Sequence, residues 1–328
     1  MPAPEEAASA RVTILVPCLD EKATLADLVA EVRQALEPTG VTPEFLFVDD
    51  GSTDGTLDLL REMSASDERI SYLALSRNFG HQAALSAGID HAEGDAVIMM
   101  DADLQHPVGL LAEMVRLWRS GCMAVNTLRV DGDSRSGKTL SSRAFYRLFR
   151  LVADVELQPG SADFRLLDRL LVLHLRGLPE KARFYRGLVP WMGFRQVYLP
   201  YSPRSRRSGK TKYSLRRMIR LALDGLIAFS EVPLVFSFVA GAGVVAVAVL
   251  YSLWIVYAHF FTQRTLTGWS SLMLAILGLG GLVLMSVGLV SLYVARVYQE
   301  VKGRPVYLLR ESSPPGSRGD GGGASPKR

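Results

Sequence analysis

Short apolar runs alternate with amphipathic stretches in the first part of the chain, from Arg11 to about Ser202. Four runs predict buried strands, at Val12–Pro17, Glu44–Val48, Tyr72–Ser76 and Asp95–Met100. Helical patterns between them predict helices over about 22–36, from Thr53 or Asp54, over about 81–92 and from about Pro107. Repeated strand–helix units of this size predict an α/β fold with a mostly parallel sheet and helices on both faces. Beyond Asn126 the alternation weakens and predicts no further elements.

Two later stretches carry no charged side chain. There are 32 such residues between Glu231 and Arg264 and another 31 between Arg264 and Arg296. A helix needs about 20 apolar residues to cross a bilayer, so we predict transmembrane helices at about 235–261 and 272–295. The alternative is a pair of buried core helices, but core helices rarely stay uncharged on every face over such a length.

Basic residues concentrate just before the first predicted span. The chain has 37 basic and 33 acidic residues, a formal charge of +4. Arg204–Arg220 holds eight basic residues and no acidic one, so this segment carries +8 and the other residues sum to −4. Nucleic-acid binding is one interpretation. The position beside a span instead favours contact with anionic lipid headgroups and no nucleic acid, with an interfacial amphipathic helix at 214–231.

The charge pattern also predicts an orientation. Basic residues follow the second span, whereas the loop between the spans carries only Arg264. The positive-inside rule therefore predicts a multi-pass protein of the cell membrane with its large domain on the cytoplasmic side. The predicted organisation is a disordered tail at 1–10, a catalytic domain at 11–213, the interfacial helix, two spans within 232–296, a juxtamembrane segment at 297–310 and a second disordered tail at 311–328.

Acidic side chains follow two of the predicted strands. Asp49 and Asp50 come after the second strand, and Asp101 and Asp103 after the fourth. Ligands bind beyond the carboxyl ends of the strands in open α/β sheets. Asp101 and Asp103 face the same way in extended backbone, and Gln105 continues the alternation. Hard divalent cations bind such oxygens together with substrate phosphates, although turn and cap aspartates are the alternative interpretation.

Several ordered motifs carry a family resemblance. They are VPCLDEKATL (16–25), VDDGSTDGT (48–56), LSRNFGHQAALSAG (75–88), DADLQHP (101–107), DFRLLD (163–168), SGKTKYSLRRM (208–218), LALDGLIAFS (221–230) and RVYQEVKGRPVY (296–307). Together they resemble family-2 glycosyltransferases, and more narrowly the polyprenyl-phosphate glycosyltransferases, a group that includes bactoprenol glucosyltransferase and dolichyl-phosphate mannose synthase. The resemblance covers about residues 11–308.

The resemblance implies a fold and a reaction. The fold is a GT-A-like domain that binds a nucleotide-diphospho-sugar. The reaction moves a sugar from that donor to an undecaprenyl- or dolichyl-type phosphate, with UDP-glucose as the first expected donor and GDP-mannose as the second. The implied cofactor is Mg²⁺ or Mn²⁺.

The resemblance also implies roles for individual residues. Those expected at the nucleotide are Pro17, Asp20, Glu21 and Asp49, with Asp50 nearby. Asp103 is expected to bind the metal, with Asp101 and Gln105 completing or supporting the site. Those expected at the acceptor phosphate are Arg129, Ser142, Arg143, Arg204 and Arg206. Asp163 occupies the position usually proposed as the catalytic base.

Two departures from the family pattern stand out. Asp20 replaces a usual asparagine, which adds a negative charge beside the donor. In the pattern Y-x-R-x-x-R-x-x-G, which begins at Tyr201, Pro203 stands where an arginine is usual, and Arg204 lies one residue out of register.

The chemistry of the reaction shapes what these residues must do. The acceptor phosphate is already an anion, so it needs orientation and charge screening more than deprotonation, and arginines supply both. We therefore expect Asp163 to position an arginine or the sugar. A single displacement without an enzyme nucleophile inverts the anomeric centre. We interpret His81 as a helix-end residue that shapes the pocket and His106 as a cap.

Two other functions are alternatives to this reaction. An inactive membrane-tethered scaffold that binds nucleotide sugars would not need to retain Asp101, Asp103 and Asp163 together. A processive polysaccharide synthase normally shows a QxxRW motif and more spans, and neither is present. Glycines in both spans, at 241, 243, 278, 280 and 281, predict close helix packing and make a homo-oligomer possible.

Overall fold

A computed structural model describes residues 10–130, 160–181, 183–203 and 268–313, together with Gln158 and scattered helical positions between 239 and 257. The predicted interfacial helix at 214–231 and most of both predicted tails lie outside the described residues. The chain folds into two compact units. One comprises Met1–Thr139, Glu156–Thr211 and Pro305–Arg328, and the other comprises Leu140–Val155 and Lys212–Arg304.

The first unit contains eight strands and six helices among the described residues. The strands are β1 (Arg11–Cys18), β2 (Thr42–Asp49), β3 (Ile70–Leu75), β4 (Ala96–Met99), β5 (Ala124–Arg129), β6 (Ser161–Asp168), β7 (Gln196–Tyr201) and β8 (Leu309–Ser312). The helices are α1 (Leu25–Leu36), α2 (Thr56–Ser66), α3 (His81–His91), α4 (Leu110–Arg119), α5 (Arg169–Gly177) and α6 (Tyr185–Trp191), and a 3₁₀ turn (Glu37–Thr39) follows α1.

The eight strands form one mixed sheet in the order β7-β5-β6-β4-β1-β2-β3-β8. Four pairings are parallel, and the three antiparallel ones join β4 to β6, β5 to β6 and β3 to β8. The predicted α/β fold with a mostly parallel sheet is therefore confirmed. The four predicted strands correspond to β1–β4, with ends that differ by a few residues, whereas β5–β8 were not predicted.

The core forms around β1, the strand between β4 and β2. Every β1 residue after Arg11 is buried, as expected for a central strand that is covered on both faces. Helix α1 covers one face with apolar residues three or four positions apart, at Leu25, Leu28, Val29, Val32 and Leu36.

Helix α3 packs directly against β1 through Gly88. A Cβ added there would lie 1.9 Å from Leu15 Cδ1 and 2.8 Å from its Cγ, and Leu15 is fully buried. We expect Gly88→Ala to lower the free energy of unfolding by about 1–3 kcal/mol through overpacking, as measured by urea denaturation. Gly177→Ala is the matched control, because a Cβ there meets no atom within 4 Å. Equal stability of the two variants would contradict the close approach.

The second unit contains a long apolar helix, α7 (Trp269–Val301). Its segment Gly278–Ala295 is long and apolar enough to cross a membrane, and the predicted span at 272–295 lies inside α7. Among the described residues this is the one helix that meets the criterion. The described positions between 239 and 257 are helical, but much of the predicted first span lies outside the described residues. Two transmembrane helices therefore remain a prediction.

The chain after α7 returns to the sheet, which the sequence pattern does not predict. β8 pairs antiparallel with β3, and Arg61 of α2 forms an ion pair of 2.6 Å with Glu311. The predicted boundary between a juxtamembrane segment and a disordered tail at 310/311 thus falls inside a strand. The prediction was wrong there because LRES is short and polar, and only pairing with an existing sheet edge makes it a strand.

Candidate functional site

The candidate site lies where the winding of the sheet reverses direction. Successive strands run outward from β1 through β2 to β3, and the chain then crosses to β4 on the other side of β1. Such a switch point opens a crevice at the carboxyl ends of the two strands. β4 leads to Asp101, and β6 runs antiparallel to β4 with Met99 opposite Arg165. Asp163, two residues before Arg165, therefore comes to the same edge as Asp101.

Five side chains meet at this edge: His81, Asp101, His106, Asp163 and Arg186, which we call the cleft cluster. His106 Nε2 lies 3.1 Å from one oxygen of Asp101. His81 Nε2 lies 3.8 Å from the other Asp101 oxygen and 3.7 Å from Asp163 Oδ2. The cluster thus joins the start of α3, the turn after β4, the start of β6 and helix α6.

Asp163 forms the strongest ion pair of the cluster. Arg186 donates from Nε at 3.0 Å and from Nη2 at 2.8 Å, one bond to each carboxylate oxygen, and the buried Arg165 adds a contact of 3.8 Å. Burial of Asp163 opposes ionisation, but the contact with His81 and the charges of the two arginines outweigh it and hold its pKa well below the usual range. Asp163 is therefore a carboxylate at neutral pH.

The two histidines contact the same carboxylate in different settings. His106 is buried and stacks on Phe164, with ring centroids 4.6 Å apart, so it is part of the site rather than only a cap. His81 begins α3, as predicted for a helix-end residue. Desolvation opposes its protonation, but the contact with Asp163 and the charges of Asp101 and Asp163 raise its pKa. The histidine contacts in turn outweigh desolvation and lower the pKa of Asp101.

The backbone from 101 to 106 is a turn and not an extended strand. Leu104 adopts a positive φ of 58°, and the Gln105 amide donates to Asp103 Oδ1 at 3.1 Å. The expectation that simple alternation aligns Asp101, Asp103 and Gln105 was therefore wrong, because the strand ends at Met99.

The residues of this turn nevertheless fit a divalent cation that is shared with a substrate. Among the described residues no group of three His, Cys, Asp or Glu side chains could hold a metal on its own. Mg²⁺ needs no such cage, since it usually binds through one or two carboxylates together with substrate phosphates and water. Asp101 and Asp103 offer two carboxylates on one turn, and the low pKa of Asp101 keeps its carboxylate charged.

Asp20 connects two of the loops that were predicted to bind the nucleotide. It has a positive φ of 57°, its Oδ1 accepts from the Thr53 amide at 2.8 Å, and its own amide donates to Ser52 Oγ at 2.9 Å. Asparagine offers the same Oδ1 acceptor and also tolerates positive φ, which explains why either residue suits this position. Beside Asp20, the Glu21 amide donates to Thr56 Oγ1 at 3.0 Å.

Asp49 and Asp50 lie deeper in the same region. Asp49 ends β2 opposite Cys18 and accepts from the Ser52 amide at 3.2 Å. Asp50 accepts from the amides of Phe79 and Gly80 at 2.7 and 2.9 Å, so both of its oxygens hold the loop before α3. Pro17 is buried within β1. Roles of these residues in donor binding stay predictions.

Cys18 is buried beside these carboxylates. Burial, followed by the charges of Asp49 and Glu21, raises its pKa well above the usual value. We expect iodoacetamide to leave Cys18 unmodified in the folded protein at mildly alkaline pH and to modify it after denaturation, as measured by peptide mass spectrometry. Cys122, which is also buried, serves as the internal control. Rapid alkylation of Cys18 in the folded protein would contradict this assignment.

Of the predicted acceptor residues, the structure describes Arg129, and Ser142, Arg143, Arg204 and Arg206 lie outside the described residues. Arg129 ends β5, the neighbour of β6. Burial raises the pKa of the Tyr201 hydroxyl, and the charges of Arg129 and Arg186 oppose that shift. Tyr201 in turn packs 5.8 Å from His106, measured between ring centroids. Arg129 thus lies beside Tyr201, its partner in the sheet, and its role at the acceptor phosphate stays a prediction.

Arg186 is the main residue that the sequence pattern does not reveal. Its segment, RFYRGLVPW, carries no motif, and only the bidentate contact with Asp163 identifies it. The segment GDSRSGKT, at 132–139, fits the GxxxxGK[ST] spacing of phosphate-binding loops and was not among the predicted site residues. That spacing is informative only between a strand and a helix, and these residues lie outside the described part of the chain.

Comparisons with known proteins assign the family. The model of the family described as Glycosyl transferase family 2 matches residues 13–172. The uncharacterized glycosyltransferase YkcC of Bacillus subtilis (strain 168) is 38% identical over 304 residues, which are 92% of this chain and 93% of the relative. The chain belongs to glycosyl transferase family 2.

Family membership makes the protein a glycosyltransferase with a GT-A-like α/β fold. The SfII prophage-derived bactoprenol glucosyl transferase of Shigella flexneri is 32% identical over 303 residues, 92% of this chain and 98% of the relative. Among solved structures, the mannosyltransferase PcManGT from Pyrobaculum calidifontis, in complex with GDP-Man and Mn²⁺, matches with a TM-score of 0.47 and 23% identity over 69% of this chain and 65% of its own.

Proposed function

We propose that this glycosyltransferase moves a sugar, with inversion, from a nucleotide-diphospho-sugar to a polyprenyl phosphate at the cytoplasmic face of a membrane. The observation that carries the proposal is the cleft cluster, which brings the acidic turn at 101–103 and the Asp163–Arg186 pair to one crevice. The relatives named bactoprenol glucosyl transferase support the acceptor class and make UDP-glucose the first donor to test, before GDP-mannose.

On the donor side, the loops after β1 and β2 form the nucleotide pocket. The Asp20–Ser52 and Glu21–Thr56 contacts hold these loops together before the donor arrives, which reduces the entropy lost on binding. Asp101 and Asp103, supported by Gln105, would hold Mg²⁺ or Mn²⁺ between the protein and the diphosphate. When bound, this ion supplies charge neutralisation for the departing nucleotide.

On the acceptor side, Arg186 orients the lipid phosphate. Its side chain is 39% exposed, while Asp163 fixes the guanidinium by two hydrogen bonds. The acceptor phosphate is an anion at neutral pH and needs no base. Asp163 therefore acts as the anchor of Arg186, since its depressed pKa makes it a poor proton acceptor.

The same pair supports direct displacement. Both oxygens of Asp163 accept from Arg186, and this ion pair stabilises the carboxylate and makes it a weaker nucleophile. Attack by the acceptor phosphate on the anomeric carbon then occurs in one step, with loss of the nucleotide diphosphate and inversion.

The membrane location rests on α7 and on the basic residues near both predicted spans. An apolar helix of this length suits a protein whose acceptor is confined to the bilayer. The segment at 204–220 would contact anionic headgroups.

A donor panel tests the proposal. Membranes that contain the protein are incubated with undecaprenyl phosphate, Mg²⁺ or Mn²⁺, and radiolabelled UDP-glucose, GDP-mannose or UDP-galactose, and the extracted lipid is counted. We expect one donor to label the lipid at least tenfold above membranes without the protein. Absence of labelled lipid with every donor, although the protein binds a nucleotide sugar, would instead indicate the inactive scaffold.

A further inference from the structure

A hydrogen-bonded cluster lies on the segment that follows α7, at the opposite end of α3 from His81. Tyr307 donates from its hydroxyl to Asp90 Oδ2 at 3.2 Å, and Arg183 donates to the other oxygen, Asp90 Oδ1, at 2.7 Å. The Tyr307 ring also meets His91 edge-on, with centroids 6.3 Å apart. Tyr307 ends the motif RVYQEVKGRPVY, for which the proposed function gives no role.

This cluster holds the chain just before helix α6. Arg183 is 11% exposed and lies two residues before Tyr185, the first residue of α6. Tyr185 is fully buried and donates to Ser86 Oγ at 3.0 Å. Two anchors on α3, Asp90 and Ser86, therefore fix the residues that immediately precede Arg186.

Tyr307 completes the first anchor. Burial and the neighbouring Asp90 charge raise the pKa of Tyr307, so its hydroxyl is protonated at neutral pH and can donate to Asp90. Because Tyr307 and Arg183 engage one carboxylate oxygen each, the Asp90 side chain is held in one orientation and in turn holds the Arg183 guanidinium. Without the hydroxyl, Asp90 and Arg183 gain rotational freedom at the start of α6.

We infer that Tyr307 is a positioning residue for sugar transfer, which sets Arg186 against Asp163 by way of Asp90 and Arg183. The inference rests on the role proposed for Arg186. It assigns a function to the segment after α7, because the Tyr307 hydroxyl is linked to the start of α6 through the side chains of Asp90 and Arg183.

The chain offers a matched control on the same segment. Glu311 of β8 also ties the segment to the rest of the first unit, by its ion pair with Arg61, but that contact leads to α2 and not to α6. Glu311→Gln therefore weakens the attachment of the segment without touching the Asp90 anchor.

The experiment compares Tyr307→Phe with Glu311→Gln in the full-length protein. We expect Tyr307→Phe to lower kcat about 5- to 20-fold with an unchanged KM for the sugar nucleotide, because small displacements of a catalytic group are costly. Glu311→Gln should retain kcat within twofold. In an Arg186→Ala background, Tyr307→Phe should have no further effect. Asp90→Asn should reproduce the loss of kcat, and it serves as the second variant if Tyr307→Phe does not fold.

Hydrogen exchange supplies a readout that does not need turnover. We expect faster amide exchange in Tyr185–Trp191 for Tyr307→Phe and no change there for Glu311→Gln. Equal effects of the two variants on kcat, additive effects with Arg186→Ala, or unchanged exchange in α6 would each overturn the inference. A wild-type protein without transferase activity would overturn the proposed function instead, and the exchange experiment would still test the anchor.

Discussion

Asp163→Asn is expected to lower kcat at least 100-fold while donor affinity changes by less than about threefold. The substitution preserves the size of the side chain but removes the charge that Arg186 and Arg165 share. Arg186 then loses its bidentate partner and its fixed orientation. A 100-fold loss corresponds to about 2.7 kcal/mol of transition-state stabilisation. Steady-state kinetics with a water-soluble polyprenyl phosphate analogue would separate kcat from KM.

The pH dependence distinguishes an anchoring carboxylate from a catalytic base. The pKa of Asp163 is depressed in the folded state, so its ion pairs stabilise the protein above the unfolded pKa of about 3.9. That stabilisation is lost as the pH falls through the folded pKa. Wild type should therefore be more stable than Asp163→Asn at neutral pH, and the difference should shrink below about pH 4.

Activity profiles give the corresponding kinetic result. If Asp163 anchors Arg186, residual activity of Asp163→Asn should keep the same acidic limb as wild type. Asp163→Glu should recover part of the activity, since it restores a charge for Arg186. An acidic limb that disappears in Asp163→Asn would show that Asp163 takes a proton and would contradict the anchoring role.

The first half of the sheet was predictable because its strands are buried on both faces. β4 is a continuous apolar run, β1 becomes one from Ile14 onward, and such runs are distinctive in sequence. β6 is different, because it contains Arg165, a charged residue that is completely buried. Its side chain donates to the carbonyls of Ala162 and Tyr185, which only the folded chain brings together.

The candidate site was also predictable only in part. The position of Asp101 follows from a general property of parallel sheets, and the family motifs indicate Asp163. Their approach to a shared His81 depends on the antiparallel register of β6 on β4. The contact of Arg186 with Asp163 depends on the short helix α6, which follows β6 in the chain. The local turn depends on a leucine at positive φ, which its intrinsic preference opposes. These features arise from tertiary packing and leave no periodic pattern in the sequence.

Asp103→Ala is expected to abolish transfer, with a loss of at least 1,000-fold in kcat/KM. Asp103 supplies one of two carboxylates on the turn after β4, and its Oδ1 also accepts from the Gln105 amide. Its removal leaves Asp101 alone, and both oxygens of Asp101 already face histidines. One such carboxylate is a weak ligand set for a divalent ion.

Thermal stability separates loss of the metal site from loss of the fold. Mn²⁺ with a nucleoside diphosphate should raise the Tm of wild type, because ligands that bind only the folded state stabilise it. The same addition should leave the Tm of Asp103→Ala unchanged, while both proteins melt at similar temperatures without ligand. Asp58→Ala is the control for a lost surface charge, since Asp58 lies on α2 with its side chain 72% exposed. It should keep both activity and the Mn²⁺-dependent shift. Near-normal transfer by Asp103→Ala would refute the metal assignment, and a Tm shift without transfer would confine the role of Asp103 to the chemical step.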